Sequence, residues 1–167
     1  GHSLELQELF QVVAESYKYG VREIQISGGE PVLSRNFIPL LQNLGQYSDL
    51  DIGFATNGSR LDIETIGIIK DNFVSVNINM PSANSTRYTL LTGGGNLSKV
   101  LNTIRLLMDE NIPICLNTVL MPGLREDCIS AIDLAKKLGL KIKILPQLFT
   151  DVVAIQKETE WFMSYAT

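Results

Sequence analysis

Metal-binding side chains are scarce in this sequence. One histidine, His2, and two cysteines, Cys115 and Cys128, occur in 167 residues, and no closely spaced Cys/His set is present. That argues against a zinc site built from short-range ligand pairs. The cysteines sit in apolar settings, Ile114-Cys115-Leu116 and Cys128-Ile129. Two buried free thiols in a reducing cytosol are expected, with a disulfide left open by the sequence. Long apolar runs are also missing: nothing approaches the ~20 residues that span a bilayer, and no charged segment followed by an apolar one opens the chain. A membrane partner is not expected, and a cytoplasmic location is. Basic clusters are few. The formal charge is −4 from 14 basic and 18 acidic residues, and scattered basic residues argue against a nucleic-acid groove. The exception, Lys136, Lys137, Lys141 and Lys143, reads as a helix C-terminus that favours cations, followed by the start of a strand. An initiator Met is lacking as well, so Gly1-His2-Ser3 reads as a cloning scar and His2 is set aside.

What is present is an alternation of helix and strand. Apolar residues make up 45% of the chain, enough for a sizeable core. Leu6, Leu9, Phe10, Val13 and Tyr17 have helical spacing, with Gly20 where the helix should stop. A strand is expected at Glu23 to Ser27. A helix over Asn36 to Leu44 follows, with Pro39 in its first turn. Next come a strand at Asp51 to Thr56 and a helix from Asp62, its N-cap, to Lys70. A strand at Val74 to Met80 leads to a polar loop or short helix over Ser82 to Thr92, ending in Gly93-Gly94-Gly95. Leu97, Val100, Leu101, Ile104, Leu107 and Met108 form one helical stripe. A strand at Pro113 to Leu120, a helix at Cys128 to Leu138 capped by Gly139, a strand at Lys141 to Leu148 and a last helix over Ile155 to Tyr165 complete the pattern. Strands joined by helical crossovers predict a parallel α/β sheet. A closed barrel of this type takes ~250 residues, so the sheet is either open or part of a barrel.

The strands predict an unusual face. Parallel strands covered on both sides read as continuous apolar runs. Here Val74, Val76, Ile78 and Met80 alternate with Ser75, Asn77 and Asn79, and Ile114 and Leu116 alternate with Cys115 and Asn117. The same polar face carries Gln25 and Ser27, Gly53 and Asn57, Lys143 and Gln147. The apolar face must carry the helices, and the polar face is expected to line a cavity for a polar ligand.

The densest local signal is Ser27-Gly28-Gly29-Glu30-Pro31 at the end of the first strand, where parallel sheets bind ligands. Two glycines permit a sharp turn and close approach to a ligand, Glu30 offers a carboxylate for an ammonium group, and Pro31 stiffens the exit. Alone, this run could equally be an ordinary turn. Its surroundings decide. Gly20 through Val32 resembles the second-strand motif of radical S-adenosylmethionine (SAM) enzymes. Ala55-Thr56-Asn57-Gly58 resembles the family's Thr-Asn-Gly at the third strand end. Val76 to Asn79 through Thr92-Gly93 occupies the place of a Ser-Leu-Asp…Thr-Gly stretch, and Leu116 to Gly123 resembles the fifth strand of the molybdenum-cofactor biosynthesis branch and its peptide-modifying relatives. Asn77 stands where the family usually has Ser, and Asn79 where it often has Asp. The resemblance covers Leu4 to Leu148.

The resemblance implies a partial (β/α)6 TIM-like barrel with about five parallel strands here and helices on the outer face. It implies that Gly28, Gly29, Glu30 and Pro31 meet the methionine end of SAM, that Asn57, Asn77 and Asn117 meet its nucleoside or carboxylate, and that Gln147 faces substrate. It also implies a [4Fe–4S] cluster held by Cys-x-x-x-Cys-x-x-Cys, one-electron cleavage of SAM to methionine and a 5′-deoxyadenosyl radical, a small-molecule or peptide substrate, and an electron donor such as flavodoxin or ferredoxin. The cluster motif should lie just upstream of Leu4. Cys115 and Cys128 have the wrong count and spacing to replace it. Residues 4–167 are therefore expected to be a truncated single domain that holds no cluster and is inactive alone. Two alternatives stand beside this: a natural cluster-less binding or scaffold domain, and a phosphate- or nucleotide-binding barrel enzyme. The second needs a phosphate loop; Gly93-Gly94-Gly95 lacks the Gly-Lys-Ser/Thr of one and reads instead as a flexible connection.

Overall fold

The structure, a computed structural model, describes residues 4–146. Gln147, the end of the expected last strand and the helix expected over 155–165 lie outside the described residues. Five strands, β1 (Glu23–Ile26), β2 (Asp51–Thr56), β3 (Val74–Asn79), β4 (Ile114–Leu120) and β5 (Lys141–Pro146), alternate with helices. The helices are α1 (Leu6–Lys18), α2 (Phe37–Leu44), α3 (Ile63–Asp71), α4 (Ser85–Leu91), α5 (Leu97–Asp109) and α6 (Arg125–Leu138).

Short polar side chains start three of these helices. Asp62 Oδ1 accepts from Thr65 N at 2.8 Å, Asn84 Oδ1 from Arg87 N at 3.1 Å, and Asn96 Oδ1 from Lys99 N at 3.2 Å. Each satisfies an otherwise orphaned N–H. The Asp62 carboxyl is held below its usual range, chiefly by the Thr65 backbone N–H. Helix α6 begins at Arg125, three residues before the position expected from apolar spacing. Leu124 N bonds Met121 O, and Cys128 N bonds Leu124 O, so the helix starts once the Pro122-Gly123 turn is complete. Its first turn is Arg125-Glu126-Asp127, in which acidic residues suit the positive helix end but give no apolar periodicity to read.

All strand pairs are parallel and the order is β1-β2-β3-β4-β5. Sequential order with right-handed crossovers puts every helix on the same side; a doubly wound sheet would reverse its order midway. The sheet curls into a half-barrel with the helices outside. The alternation in the sequence maps onto this shape. Ile52, Phe54, Val74, Val76, Ile78, Met80, Ile114 and Leu116 point outward and are all buried. Gln25, Gly53, Ser75, Asn77, Asn79, Cys115 and Asn117 take the alternate positions on the concave face. The apolar layer between sheet and helices is a single core, with Leu41 and Leu44 of α2, Ile66 and Ile69 of α3, Val100, Ile104 and Leu107 of α5, and Ala131 and Ala135 of α6.

Candidate functional site

The carboxyl ends of the strands bring together two turns that lie 26 residues apart in sequence. After β1 the chain passes through Gly28 and Gly29, and an added Cβ at either would meet nothing within 4 Å, so this turn is open to close approach. Pro31 is buried at the start of a single 3-10 turn, Pro31–Leu33. Between them Glu30 reaches the end of β2. Thr56 Oγ1 donates to Glu30 Oε1 at 2.6 Å, and Asn57 N donates to Glu30 Oε2 at 2.8 Å. Both carboxylate oxygens thus clamp the β2 turn, each keeping a lone pair for a further donor. Gly58 completes that turn at φ +70°, where a Cβ would also press on Val100 at 3.2 Å and Ile78 at 3.3 Å; both conditions select glycine. Asn57 Oδ1 accepts from Ser59 N at 2.9 Å and Ser59 Oγ at 2.6 Å, leaving its amide NH2 free of these bonds.

Next to these turns lies a cavity of about 580 Å3, lined by Asn57, Ser59, Asn79, Tyr88, Thr92 and Met121 among others. The concave face supplies its floor. Asn79 stands beside Asn117 in the β3–β4 register. Asn117 Oδ1 is buried without a partner. The cavity wall is more apolar than polar, and the orphaned acceptor, on the same concave face, fits a ligand that brings a donor, such as the nucleoside of SAM. With the open Gly28-Gly29 turn, the residues in place fit SAM.

The structure separates the sequence-assigned residues by depth. Gly28, Gly29, Glu30, Pro31 and Asn57 gather at the strand ends. Asn77 lies deeper, is 7% exposed and donates from Nδ2 to Gln25 Oε1 at 3.1 Å. Gln25 reaches it by crossing β2 at Gly53, where a Cβ would lie 2.5 Å from the Gln25 side chain. Both belong to a lower cavity of about 410 Å3 with Glu23, Asp51, Lys141 and Lys143. Asn79, Tyr88 and Thr92 are among the upper-cavity residues that sequence reasoning did not assign. The alternation does place Asn79 on the concave face.

The cluster does not fit the residues in hand. Among the described residues no three His, Cys, Asp or Glu side chains gather as a metal site. Cys128 is buried in α6 and Cys115 is half-buried on β4 of the concave face; both are free thiols. The phosphate-loop reading of Gly93-Gly94-Gly95 also fails on geometry. Gly93 N bonds Leu90 O at 3.3 Å, Gly94 N bonds Thr89 O at 2.8 Å and Gly95 N bonds Thr92 Oγ1 at 3.0 Å. A phosphate cradle needs such N–H groups free, and here the turn consumes them. Among the described residues no helix is long and apolar enough to cross a membrane.

One ion pair borders the site. The Arg87 guanidinium grips Asp127 through Nη2–Oδ2 at 2.6 Å and Nε–Oδ1 at 3.1 Å. The Asp127 carboxyl is held below its ordinary 3.8, first by the Arg87 hydrogen bond and further by Ser82, against the opposing effect of burial. A depressed carboxyl contributes stability that is complete above its unfolded value and is lost as pH falls through the folded one. Asp127→Asn is therefore expected to cost about 1–2 kcal/mol at pH 7, a value discounted because the Arg87 side chain is 40% exposed. The gap should close as pH drops below 3.8. Urea melts at pH 7 and in acid check this; a gap that acid leaves unchanged would remove the charge from the account.

The comparisons with known proteins agree with this geometry. Residues 1–135 match the Radical SAM superfamily. GTP 3',8-cyclase of Synechocystis sp. is 30% identical over 145 residues, covering 85% of this chain and 44% of that protein. A probable GTP 3',8-cyclase of Methanococcus maripaludis is 27% identical over 168 residues, covering 95% of this chain and 56% of that protein. The chain thus spans about half the length of the curated relatives it matches. Among solved structures, Streptococcus suis SuiB bound to precursor peptide SuiA superposes with a TM-score of 0.78 at 14% identity, covering 99% of this chain and 40% of that one. Native anSMEcpe with bound AdoMet gives 0.68 at 18% identity, covering 85% and 42%. The fold of those two, the superfamily match and the Gly-Gly-Glu-Pro and Thr-Asn-Gly turns clamped by Glu30 lead to one assignment: this chain belongs to the radical SAM superfamily.

Proposed function

We propose that residues 4–146 are the SAM-binding half-barrel of an enzyme that abstracts a hydrogen atom from its substrate. The single observation that carries the reading is the Glu30 clamp, which fixes two family turns side by side, the second of them lining the upper cavity through Asn57 and Ser59. SAM, when bound, supplies the 5′-deoxyadenosyl group used for hydrogen abstraction. The chain's own residues bind and orient it. Gly28 and Gly29 admit the methionine end to the backbone, with Glu30 beside its ammonium. Asn57 offers amide protons to the carboxylate, and Asn117 Oδ1 accepts from the nucleoside. Cofactors of this kind carry the hard chemistry, and the protein positions them.

The 167 residues contain two cysteines, so a three-cysteine cluster at this site draws ligands from beyond them. Iron and sulfide reconstitution of the 167-residue chain is expected to give no stoichiometric [4Fe–4S] absorption. A cluster forming on it would overturn this part of the reading. In the full-length protein, reconstituted and reduced by dithionite, SAM is expected to yield 5′-deoxyadenosine and methionine; none above the unreconstituted control would refute the enzyme assignment. The cyclase relatives carry GTP in their name, and the SuiB structure carries a precursor peptide. The Synechocystis cyclase and SuiB each match most of this chain with less than half of their own length, which fits cofactor handling rather than choice of substrate. A small-molecule or peptide substrate, an electron donor of the flavodoxin or ferredoxin kind, and a cytoplasmic location complete the proposal.

A further inference from the structure

The upper cavity has two kinds of wall. The sheet holds Asn79 and Val119 through its ladder. Tyr88 and Leu91 stand instead on α4 and Thr92 caps its end, while Met121 and Leu124 lie on the loop between β4 and α6. Helix α4 has 7 residues, too few to be stable by itself. Something must fix it against that loop.

The structure places a compact polar network there. Arg87, in the middle of α4, takes Asp127 with two guanidinium nitrogens. A guanidinium fork on a carboxylate sets angle as well as distance, which an ammonium does not. The Asp127 side chain is 7% exposed and the Arg87 side chain 40%. Behind this pair, Ser130 Oγ accepts from Ala83 N at 2.9 Å, lies 3.3 Å from Ser82 Oγ and donates to Asp127 O at 2.7 Å. Ser82, fully buried, also accepts from Asn84 N at 3.1 Å. The Arg87–Asp127, Ala83–Ser130 and Ser82–Ser130 contacts join residues 82–87 to residues 127–130, the starts of α4 and α6, and the two remaining bonds brace each start internally. Tyr88 follows Arg87 directly, and Leu124 precedes Asp127 by one helical turn, so a shift between the two helix starts moves facing walls of the cavity.

We propose that Arg87 and Asp127 act as a latch, a pair of positioning residues that sets the width of the upper cavity and through it the grip on the nucleoside end of SAM. The second half of this statement rests on the SAM reading above; the first does not. Neither residue touches the ligand. Both act through Tyr88, Thr92, Met121 and Leu124.

The test uses the full-length protein with Arg87→Lys, Arg87→Met and Asp127→Asn, and with Arg22→Met as a control that breaks the distant Arg22–Asp49 pair. Arg87→Lys keeps the charge and loses the fork, so it stays informative should the others fold poorly. Amide exchange read by mass spectrometry is expected to speed up by about tenfold or more in residues 84–92 and 121–130 alone. SAM dissociation constants should rise about fivefold or more, while Arg22→Met leaves both readings at the parent's values. Exchange that rises equally in 74–79 and 97–109 would overturn the latch, because it reports only lost global stability. A local rise with parental SAM affinity would overturn its link to the ligand. A parent protein that binds no SAM would refute the proposed function, and the exchange pattern would still decide the latch.

Discussion

Glu30→Ala in the full-length protein is expected to weaken SAM binding by about tenfold or more, the equivalent of about 1.4 kcal/mol. Two effects act together. The carboxylate is the negative group nearest to where the SAM ammonium is proposed to sit. It also accepts from Thr56 Oγ1 and Asn57 N, and hydrogen bonds to a charged acceptor contribute about 1.5–3 kcal/mol each. Without it, the Asn57 N–H loses its partner and the β2 turn is free to move away from the β1 turn. Two milder variants separate these effects. Glu30→Gln keeps an acceptor for Asn57 N and removes the charge. Thr56→Val keeps the charge and removes one arm of the clamp, together with the bond from Gly58 N to Thr56 Oγ1 at 3.0 Å. If Glu30→Gln binds SAM like the parent and Thr56→Val does not, Glu30 works by holding the turns. If the reverse holds, Glu30 works through its charge. Parental affinity in Glu30→Ala, measured by calorimetry, would refute both roles and with them the central contact of the proposed site.

The sheet was legible because its chemistry is periodic. Val74, Val76, Ile78 and Met80 against Ser75, Asn77 and Asn79 announced which side would meet helices, and each of the four apolar residues is essentially buried. The Asp62 cap and the stop at Gly139 follow from local backbone demands that a few neighbouring residues satisfy, and both formed as expected. Depth along the concave face was not legible. Parity assigns Asn77 and Asn79 to one face, but which of them lies at the site depends on where neighbouring strands end and how they are staggered. Those are properties of the sheet, not of one strand. The structure puts Asn79 in the upper cavity and bonds Asn77 to Gln25, through a gap at Gly53 that a single strand's sequence cannot show. The Arg87–Asp127 latch was invisible for a related reason. A charged residue on a helix reads as solvent-facing, and its partner is 40 residues away, reached only once α4 and α6 lie on neighbouring crossovers. The Glu30 clamp was half visible: its motif stood out, while the acceptor role of its carboxylate needed the β1–β2 pairing.

The largest loss of stability is expected at Phe54. Its side chain is fully buried on β2, and its ring meets Phe37 of α2 edge-on, with centroids 4.9 Å apart. Phe37 is itself 3% exposed, so the pair joins the second strand to the first crossover helix in a dry contact. Truncating a buried Phe to Ala costs about 3–5 kcal/mol through lost transfer energy and the cavity left behind. An edge-to-face pair adds about 0.5–1.5 kcal/mol beyond buried area. Whole domains are stable by about 5–15 kcal/mol, so Phe54→Ala should leave the fold marginal, with a urea midpoint far below the parent's. Phe54→Leu keeps most of the volume and should lose much less. A cycle with Phe37→Leu isolates the ring contact, since residues that touch do not add independently. The consequence reaches the site through the backbone. Phe54 lies two residues before Thr56, and the outward side of β2 anchors the strand whose end carries Thr56 and Asn57. Phe54→Ala is therefore expected to weaken SAM binding even under conditions where the protein stays folded, and Phe54→Leu to retain it. A loss under about 1 kcal/mol in urea melts would mean that neighbouring side chains collapse into the space, and that the contact between β2 and α2 does not hold the strand in place.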